Sequence, residues 1–113
     1  MIVSTSHAGV VAVVHVSGPR LTYPNLAEFS GAVTDLIGRG EKKILVDLSP
    51  VNYVDSATIG CLMDLYRQAS AAGGALKLAG VQKRVETMLT MTGAQNFIEV
   101  HPDEPSAVKS FGV

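Results

Sequence analysis

Apolar residues in this chain form short runs that alternate between the spacing of strands and the spacing of helices. Residues 10–16 are almost wholly apolar and mostly β-branched, which predicts a strand covered on both faces. A more polar segment at residues 2–6 predicts a first strand, and Gly9 predicts the turn between the two. Further runs predict strands at residues 44–48, 75–79 and 97–100.

Between and after these strands, apolar side chains recur at three- and four-residue steps, which is the pattern of helices. The pattern predicts helices over residues 24–37, from Ser56 to near Gly73, over 82–90 and over 104–111. The order ββαβαβαβα predicts an α/β fold with a mixed sheet, because each crossover favours parallel pairing and the opening hairpin adds an antiparallel edge. No linker or repeat interrupts the chain, so residues 1–113 are predicted to form a single domain.

Composition and charge narrow the class of protein. The chain has 113 residues, 47% of them hydrophobic, which is enough for one core without metal or disulfide crosslinks. Its formal charge is only -1 and basic residues occur at most in pairs, which disfavours direct nucleic-acid binding.

Targeting signals and cysteine content bear on the compartment. The N-terminus lacks the pattern of a signal peptide, and no apolar run is long enough for membrane insertion. The single Cys61 cannot form an internal disulfide and suits a small buried apolar residue in a reducing compartment. The expected location is therefore cytoplasmic.

The segment around Ser56 is the strongest candidate for function, and two interpretations stay open from its residues alone. The Ser56 hydroxyl could cap the helix that begins there, which is worth about 1 kcal/mol over alanine. Alternatively, Ser56 could accept a phosphoryl group, which would add about 1.5 to 2 negative charges beside Asp55. The small residues Ala57 and Gly60 would let a partner protein approach, although Gly60 is equally explained by close packing of helix on sheet.

The run Asp55-Ser56-Ala57-Thr58-Ile59-Gly60 resembles the loop that opens a helix in STAS domains of the anti-sigma factor antagonist family. The resemblance continues through residues 73–78, which match the family's Gly-Gly and following strand, and through 85–93, which match its next helix and terminal glycine. It covers most of the chain in the expected order.

This resemblance implies a partner-switching mechanism. In such proteins the serine after the aspartate, here Ser56, is phosphorylated by a partner that is both anti-sigma factor and serine protein kinase. The unphosphorylated domain binds that partner and frees a sigma factor, the phosphorylated domain does not bind, and a phosphatase restores the hydroxyl. The residues expected near the partner are Asp55, Ala57, Thr58, Gly60, Thr22 and Asn25.

Two differences from the family pattern keep an alternative open. Ala57 and Thr58 stand where the family usually has a second hydroxyl residue and glycine, which would put a β-branched side chain at the contact surface. Arg20 stands in a loop where the family often has carboxylates, so the charge of the partner's surface should differ correspondingly. The alternative is a constitutive STAS interaction module of a transporter complex or stress-signalling scaffold, without phosphorylation.

An enzyme or small-ligand domain is a further alternative from a different class. A hydrolase would need a base beside Ser56, yet His7, His15 and His101 are scattered along the chain and Asp47 is better explained as a hydrogen-bonded strand-end residue. We therefore predict no catalytic residues, no metal site and no cofactor.

Overall fold

Strands and helices alternate through the computed structural model, which describes residues 2–112. The strands are β1 Val3–Ala8, β2 Val11–Val16, β3 Arg20–Leu21, β4 Lys43–Asp47, β5 Tyr53–Val54, β6 Ala75–Ala79 and β7 Val100–His101. The helices are α1 Leu26–Gly38, α2 Ser56–Ala71, α3 Lys83–Thr92 and α4 Glu104–Ser110, with short 3-10 turns at Tyr23–Asn25 and Ala94–Asn96. Within residues 2–112, no helix combines the length and the apolar character that crossing a bilayer requires.

The main sheet has five strands in the order β1-β2-β4-β6-β7. β1 and β2 pair antiparallel, and Gly9 turns the chain between them with a φ of 63°, a conformation that favours glycine. The other neighbours pair in parallel, with Ala12 opposite Ile44 and Ile44 opposite Leu76. The predicted mixed α/β sheet with an opening hairpin is confirmed.

Helices cover both faces of the sheet because its central strands are apolar on both sides. On one face, alternate residues such as Val14, Val46 and Leu78 pack with the apolar stripes of α1, α2 and α3. On the other face, Val13 and Leu45 pack with Ala107 of α4. β2 is buried along nearly its whole length, as its continuous apolar run predicted.

The predicted last strand is misplaced. Residues 94–96 form a 3-10 turn that continues past Gly93, and Phe97 is 60% exposed rather than part of the sheet. Pairing with β6 is confined to Val100 and His101, because only there does the chain run alongside Leu78 and Ala79.

A second small sheet joins the two loops that lead toward the candidate site. β3 and β5 pair in parallel over two residues each, with Arg20 opposite Tyr53 and Leu21 opposite Val54. The Arg20 guanidinium also stacks over the Tyr53 ring, 4.5 Å from its centroid. These strands were not predicted, since two residues are too few to carry a periodic pattern.

Candidate functional site

The candidate site lies beyond the carboxyl ends of the parallel strands. The loops that follow β2, β4 and β6 lead into α1, α2 and α3, so the starts of these helices lie at one edge of the sheet. This edge is where open α/β sheets commonly build binding sites. Ser56, Thr22 and Arg84 all belong to segments that begin there.

Asp55, not Ser56, caps the helix. Asp55 has extended backbone angles, φ -105° and ψ 177°, and its side chain accepts a 2.9 Å hydrogen bond from the Thr58 N–H. Ser56 is the first helical residue. The interpretation of Ser56 as the cap is therefore wrong; aspartate and serine are comparable caps, and the helix begins one residue earlier than that interpretation requires.

The Asp55 carboxylate also holds the loop before α1. Its Oδ2 accepts a 2.9 Å hydrogen bond from the Tyr23 N–H. Burial opposes ionisation of Asp55, but hydrogen bonds from Tyr23 and Thr58 outweigh it and hold the pKa of this carboxyl below its ordinary value. A single ionised side chain thus joins two loops and one helix start.

Thr58 lies inside the protein rather than on the surface expected to meet a partner. Its side chain is fully buried, and its hydroxyl lies 2.7 Å from both the Leu21 carbonyl oxygen and Asp55 Oδ1. The β-branched side chain therefore presents nothing to a partner in this conformation. Instead it ties the first turn of α2 to β3.

Ser56 is exposed at the start of α2. Within the described chain its hydroxyl makes no hydrogen bond to the protein, so the oxygen is open to another molecule. Ala57 and Gly60 are exposed beside it. A Cβ built on Gly60 would meet no atom within 4 Å, so close packing of helix on sheet does not explain this glycine.

Thr22 and Asn25 shape the loop that Asp55 holds. Both are half-buried, and the Asn25 N–H donates a 2.8 Å hydrogen bond to the Thr22 carbonyl. Tyr23 between them is 75% exposed. The structure therefore offers the ring of Tyr23, which the sequence did not single out, as the prominent side chain of this loop.

A groove runs between α1 and α2 on one side of Ser56. Its lining includes Tyr23, Leu26, Ala57, Gly60, Cys61 and Met63. Burial raises the pKa of the Cys61 thiol; a hydrogen bond with Ser30 lowers it in part, and the nearby Asp64 charge adds a smaller increase. The groove combines apolar side chains with the polar Ser30, Asp64, Arg67 and Gln68, and the exposed Ala57 and Gly60 lie near the free hydroxyl.

A smaller pocket of about 450 Å³ lies on the α3 side of Ser56. Its walls are formed by Tyr53, Val54, Asp55, Ser56, Arg84 and Met88. Arg84 is a functional candidate that the sequence analysis missed, because nothing in the local pattern shows that the start of α3 reaches the start of α2.

The histidines make their contacts away from Ser56. His7 pairs with Glu41 at 2.8 Å, His101 with Glu99 at 3.1 Å, and His15 lies 3.0 Å from the Ser6 hydroxyl. None of these distances joins a base to Ser56, so nucleophilic catalysis by this hydroxyl has no support from the described residues.

One cluster of possible metal ligands is present on the α4 side of the sheet. His15, Asp47 and Glu104 place ligand atoms within 4.8 Å of one another. The imidazole lies between the carboxylates, with Nδ1 3.7 Å from Asp47 and Nε2 3.9 Å from Glu104. Asp47 also accepts a 2.9 Å hydrogen bond from the Ser49 N–H, which confirms its role as a hydrogen-bonded strand-end residue.

Known proteins share this sequence pattern and fold. An anti-sigma factor antagonist homologue of Thermotoga neapolitana is 28% identical over 67 residues, and the match covers 59% of each chain. A crystal structure of an anti-sigma factor antagonist from Thermotoga maritima superposes with a TM-score of 0.85 at 22% identity, covering 96% of this chain and 92% of that one. The phosphorylated form of the Bacillus cell fate determinant SpoIIAA superposes with a TM-score of 0.75 at 14% identity, covering 96% and 98%.

The family model of the STAS domain matches residues 2–107. This range spans the hairpin, the crossovers that build the parallel strands, and the start of α4 that packs on the opposite face. The loop that carries Asp55 and Ser56 lies within it. The chain therefore belongs to the STAS domain family.

Proposed function

We propose that this protein is an anti-sigma factor antagonist that acts by partner switching, with Ser56 as the phospho-acceptor. The observation that carries the proposal is the exposed, unbonded Ser56 hydroxyl beside an accessible helix turn and the groove between α1 and α2. The names of the Thermotoga relatives support the class of partner. The partner is an anti-sigma factor that is also a serine protein kinase, and both act in the cytoplasm.

The unphosphorylated domain binds this partner through the turn that contains Ala57 and Gly60, together with the loop from Thr22 to Asn25. Small exposed side chains let the partner's backbone come close, and the Tyr23 ring supplies an apolar anchor of the kind that dominates interfaces. Asp55 keeps the two segments in register by holding the Tyr23 N–H.

Phosphorylation reverses this binding through charge. The kinase transfers the γ-phosphoryl group of ATP to the Ser56 oxygen; the bond to the β-phosphate breaks, ADP leaves and the hydroxyl proton is released. The new group adds about 1.5 to 2 negative charges at the contact surface, and desolvating them in an interface is costly. A phosphatase restores the hydroxyl by hydrolysis. The chemistry belongs to the partners, and this domain acts as substrate.

The test is capture of partners from the native cell with four baits: wild type, Ser56→Ala, Ser56→Asp and Ser106→Asp. Ser106 lies in the first turn of α4, on the opposite face of the sheet, so Ser106→Asp adds the same charge near a helix start but away from the site. We expect wild type, Ser56→Ala and Ser106→Asp to capture a GHKL-type kinase, and Ser56→Asp to lose it.

Equal capture by all four baits contradicts partner switching. If the captured proteins are then components of a transporter or a signalling scaffold, the protein is a constitutive STAS interaction module. The second readout is a phosphorylation assay in which each purified variant of this protein is incubated with the captured kinase and ATP. Incorporation of phosphate into the protein should disappear in Ser56→Ala and persist in Ser106→Asp.

A further inference from the structure

Arg84 has a fixed backbone position beside the loop that leads to Ser56. It is the second residue of α3, and the preceding Gln82 donates a 2.7 Å hydrogen bond from Nε2 to the Ser49 carbonyl in the loop after β4. This bond fixes the start of α3 against the segment between β4 and α2. Arg84 and Ser56 then line the same pocket of about 450 Å³, from opposite elements.

The guanidinium of Arg84 has no partner in the described part of the chain. The other arginines are engaged: Arg39 pairs with Asp35 at 3.0 Å, Arg67 with Asp64 at 3.2 Å, and Arg20 stacks on Tyr53. For Arg84, residues 2–112 supply neither an ion pair nor a side-chain hydrogen bond. It is therefore an available cation at the wall of the Ser56 pocket.

The one carboxylate of the pocket does not satisfy this cation. Asp55 uses Oδ2 for the Tyr23 N–H and Oδ1 for the Thr58 N–H and hydroxyl. In addition, a cation in the first turn of a helix faces the positive end of the helix dipole, which is the less favourable end for arginine. Glu86 in the same turn carries the opposite charge, but it forms no ion pair with Arg84 among residues 2–112.

We propose that Arg84 binds the phosphoryl group on Ser56 and is the residue of this domain that recognises the phosphorylated state. The inference rests on the proposed role of Ser56 as phospho-acceptor. A planar guanidinium donates paired hydrogen bonds to phosphate oxygens, which suits a dianion on another residue that lines the same pocket. Arg84 also offsets the repulsion between that dianion and the neighbouring Asp55 carboxylate. Kinase and phosphatase then act on a phosphoserine whose charge is partly neutralised within the domain.

The experiment measures ionisation of the phosphoserine directly. Phosphoserine is incorporated at position 56 during translation, and its ³¹P resonance is followed against pH in wild type, Arg84→Ala, Arg84→Lys and Lys83→Ala. Arg84 is exposed, so its replacement should leave the fold intact. Lys83 is the matched control, because it is the adjacent exposed cation but does not line the pocket.

We expect the constant for the second ionisation to be about threefold larger in wild type than in Arg84→Ala, since a nearby cation favours the dianion. Lys83→Ala should match wild type, and Arg84→Lys should fall between, because it keeps the charge and loses the paired donors. Identical titration of wild type and Arg84→Ala, or an equal effect of Lys83→Ala, overturns the inference.

This result is independent of the partner. Phosphoserine enters during translation, so the titration is the same whether or not the cell contains a kinase for Ser56. Failure of the partner-capture experiment therefore counts against partner switching alone, and failure of the titration counts against the Arg84 contact alone.

Discussion

The Asp55 carboxylate accepts a hydrogen bond from the N–H of Tyr23, 32 residues earlier in the chain. The same side chain caps α2 through the Thr58 N–H. The relative position of the loop before α1 and the start of α2 therefore depends on one residue, and both segments border the groove proposed to bind the partner.

Replacing this residue should loosen both segments. We expect Asp55→Ala to lower the free energy of unfolding by about 1 to 2 kcal/mol, the range for loss of a helix cap. It should also speed hydrogen exchange at the Tyr23 amide. Asp103→Ala is the control, since Asp103 caps α4 through the Ser106 N–H on the other face of the sheet. Unchanged Tyr23 exchange in Asp55→Ala would refute the role assigned to this bond.

The charge of Asp55 predicts a dependence of stability on acid. Its pKa in the folded protein lies below the ordinary value of 3.8, so its contribution is complete above that value and is lost as the pH falls through the folded pKa. We expect Asp55→Asn to lose less stability than wild type between about pH 7 and about pH 3 in urea titrations. The free energy of unfolding of Asp55→Asn should still fall somewhat as the pH is lowered, because the pKa values of Glu99 and Asp103 are also lowered. An equal loss of unfolding free energy in the two proteins over this pH range would contradict the prediction.

The buried Thr58 hydroxyl should matter for stability. Thr58→Val keeps the shape but removes the buried hydroxyl that lies 2.7 Å from both the Leu21 carbonyl oxygen and Asp55 Oδ1, which should cost about 1 to 3 kcal/mol. Thr58→Ser keeps the donor and removes one methyl group, for an expected loss of about 1 kcal/mol. Chemical denaturation distinguishes the two, and a valine variant as stable as wild type would show that this hydrogen bond adds nothing.

Substitution of Gly60 should change the stability of the protein and its binding to the partner in opposite directions. Because nothing lies within 4 Å of its absent Cβ, Gly60→Ala should stabilise α2 by about 0.5 to 1 kcal/mol. The added methyl group should nevertheless weaken capture of the partner. Gly31→Ala is the matched control, since Gly31 is an equally open glycine within α1 and lines a different groove. If both variants bind alike, Gly60 does not contact the partner.

The sequence predicted the parts of the fold that depend on local apolar patterns. β2, β4 and β6 come from apolar runs that are buried on both faces, and α1 and α2 come from stripes with clear helical spacing. The prediction of the last strand was wrong at its start, because the apolar Phe97 was expected in the sheet but follows a 3-10 turn that leaves it exposed. A local pattern does not distinguish two adjacent residues that can both cap a helix, so Ser56 stayed a possible cap until the structure identified Asp55.

Tertiary contacts account for what the sequence left out of the site. The Tyr23 amide, the Leu21 carbonyl and the Arg84 guanidinium reach the Ser56 region from three separate segments. The local sequence around each of these residues does not predict that they meet. Thr58 was expected at the contact surface because it stands where the resembled family usually has glycine, yet the helical spacing of α2 places its side chain in the interior.

The chain contains a single cysteine, and its half-buried thiol lies in the groove beside Gly60. Occupancy of that groove can therefore be followed by the rate at which the Cys61 thiol is alkylated. No cysteine has to be introduced into this chain as a label, and no second cysteine of this chain has to be removed. If the partner binds as proposed, we expect it to shield the sulfur from an alkylating reagent, and we expect its departure to restore the reaction. The wild-type protein thus carries its own footprinting probe, and the time course of partner release can be read as the rate at which one thiol becomes modifiable.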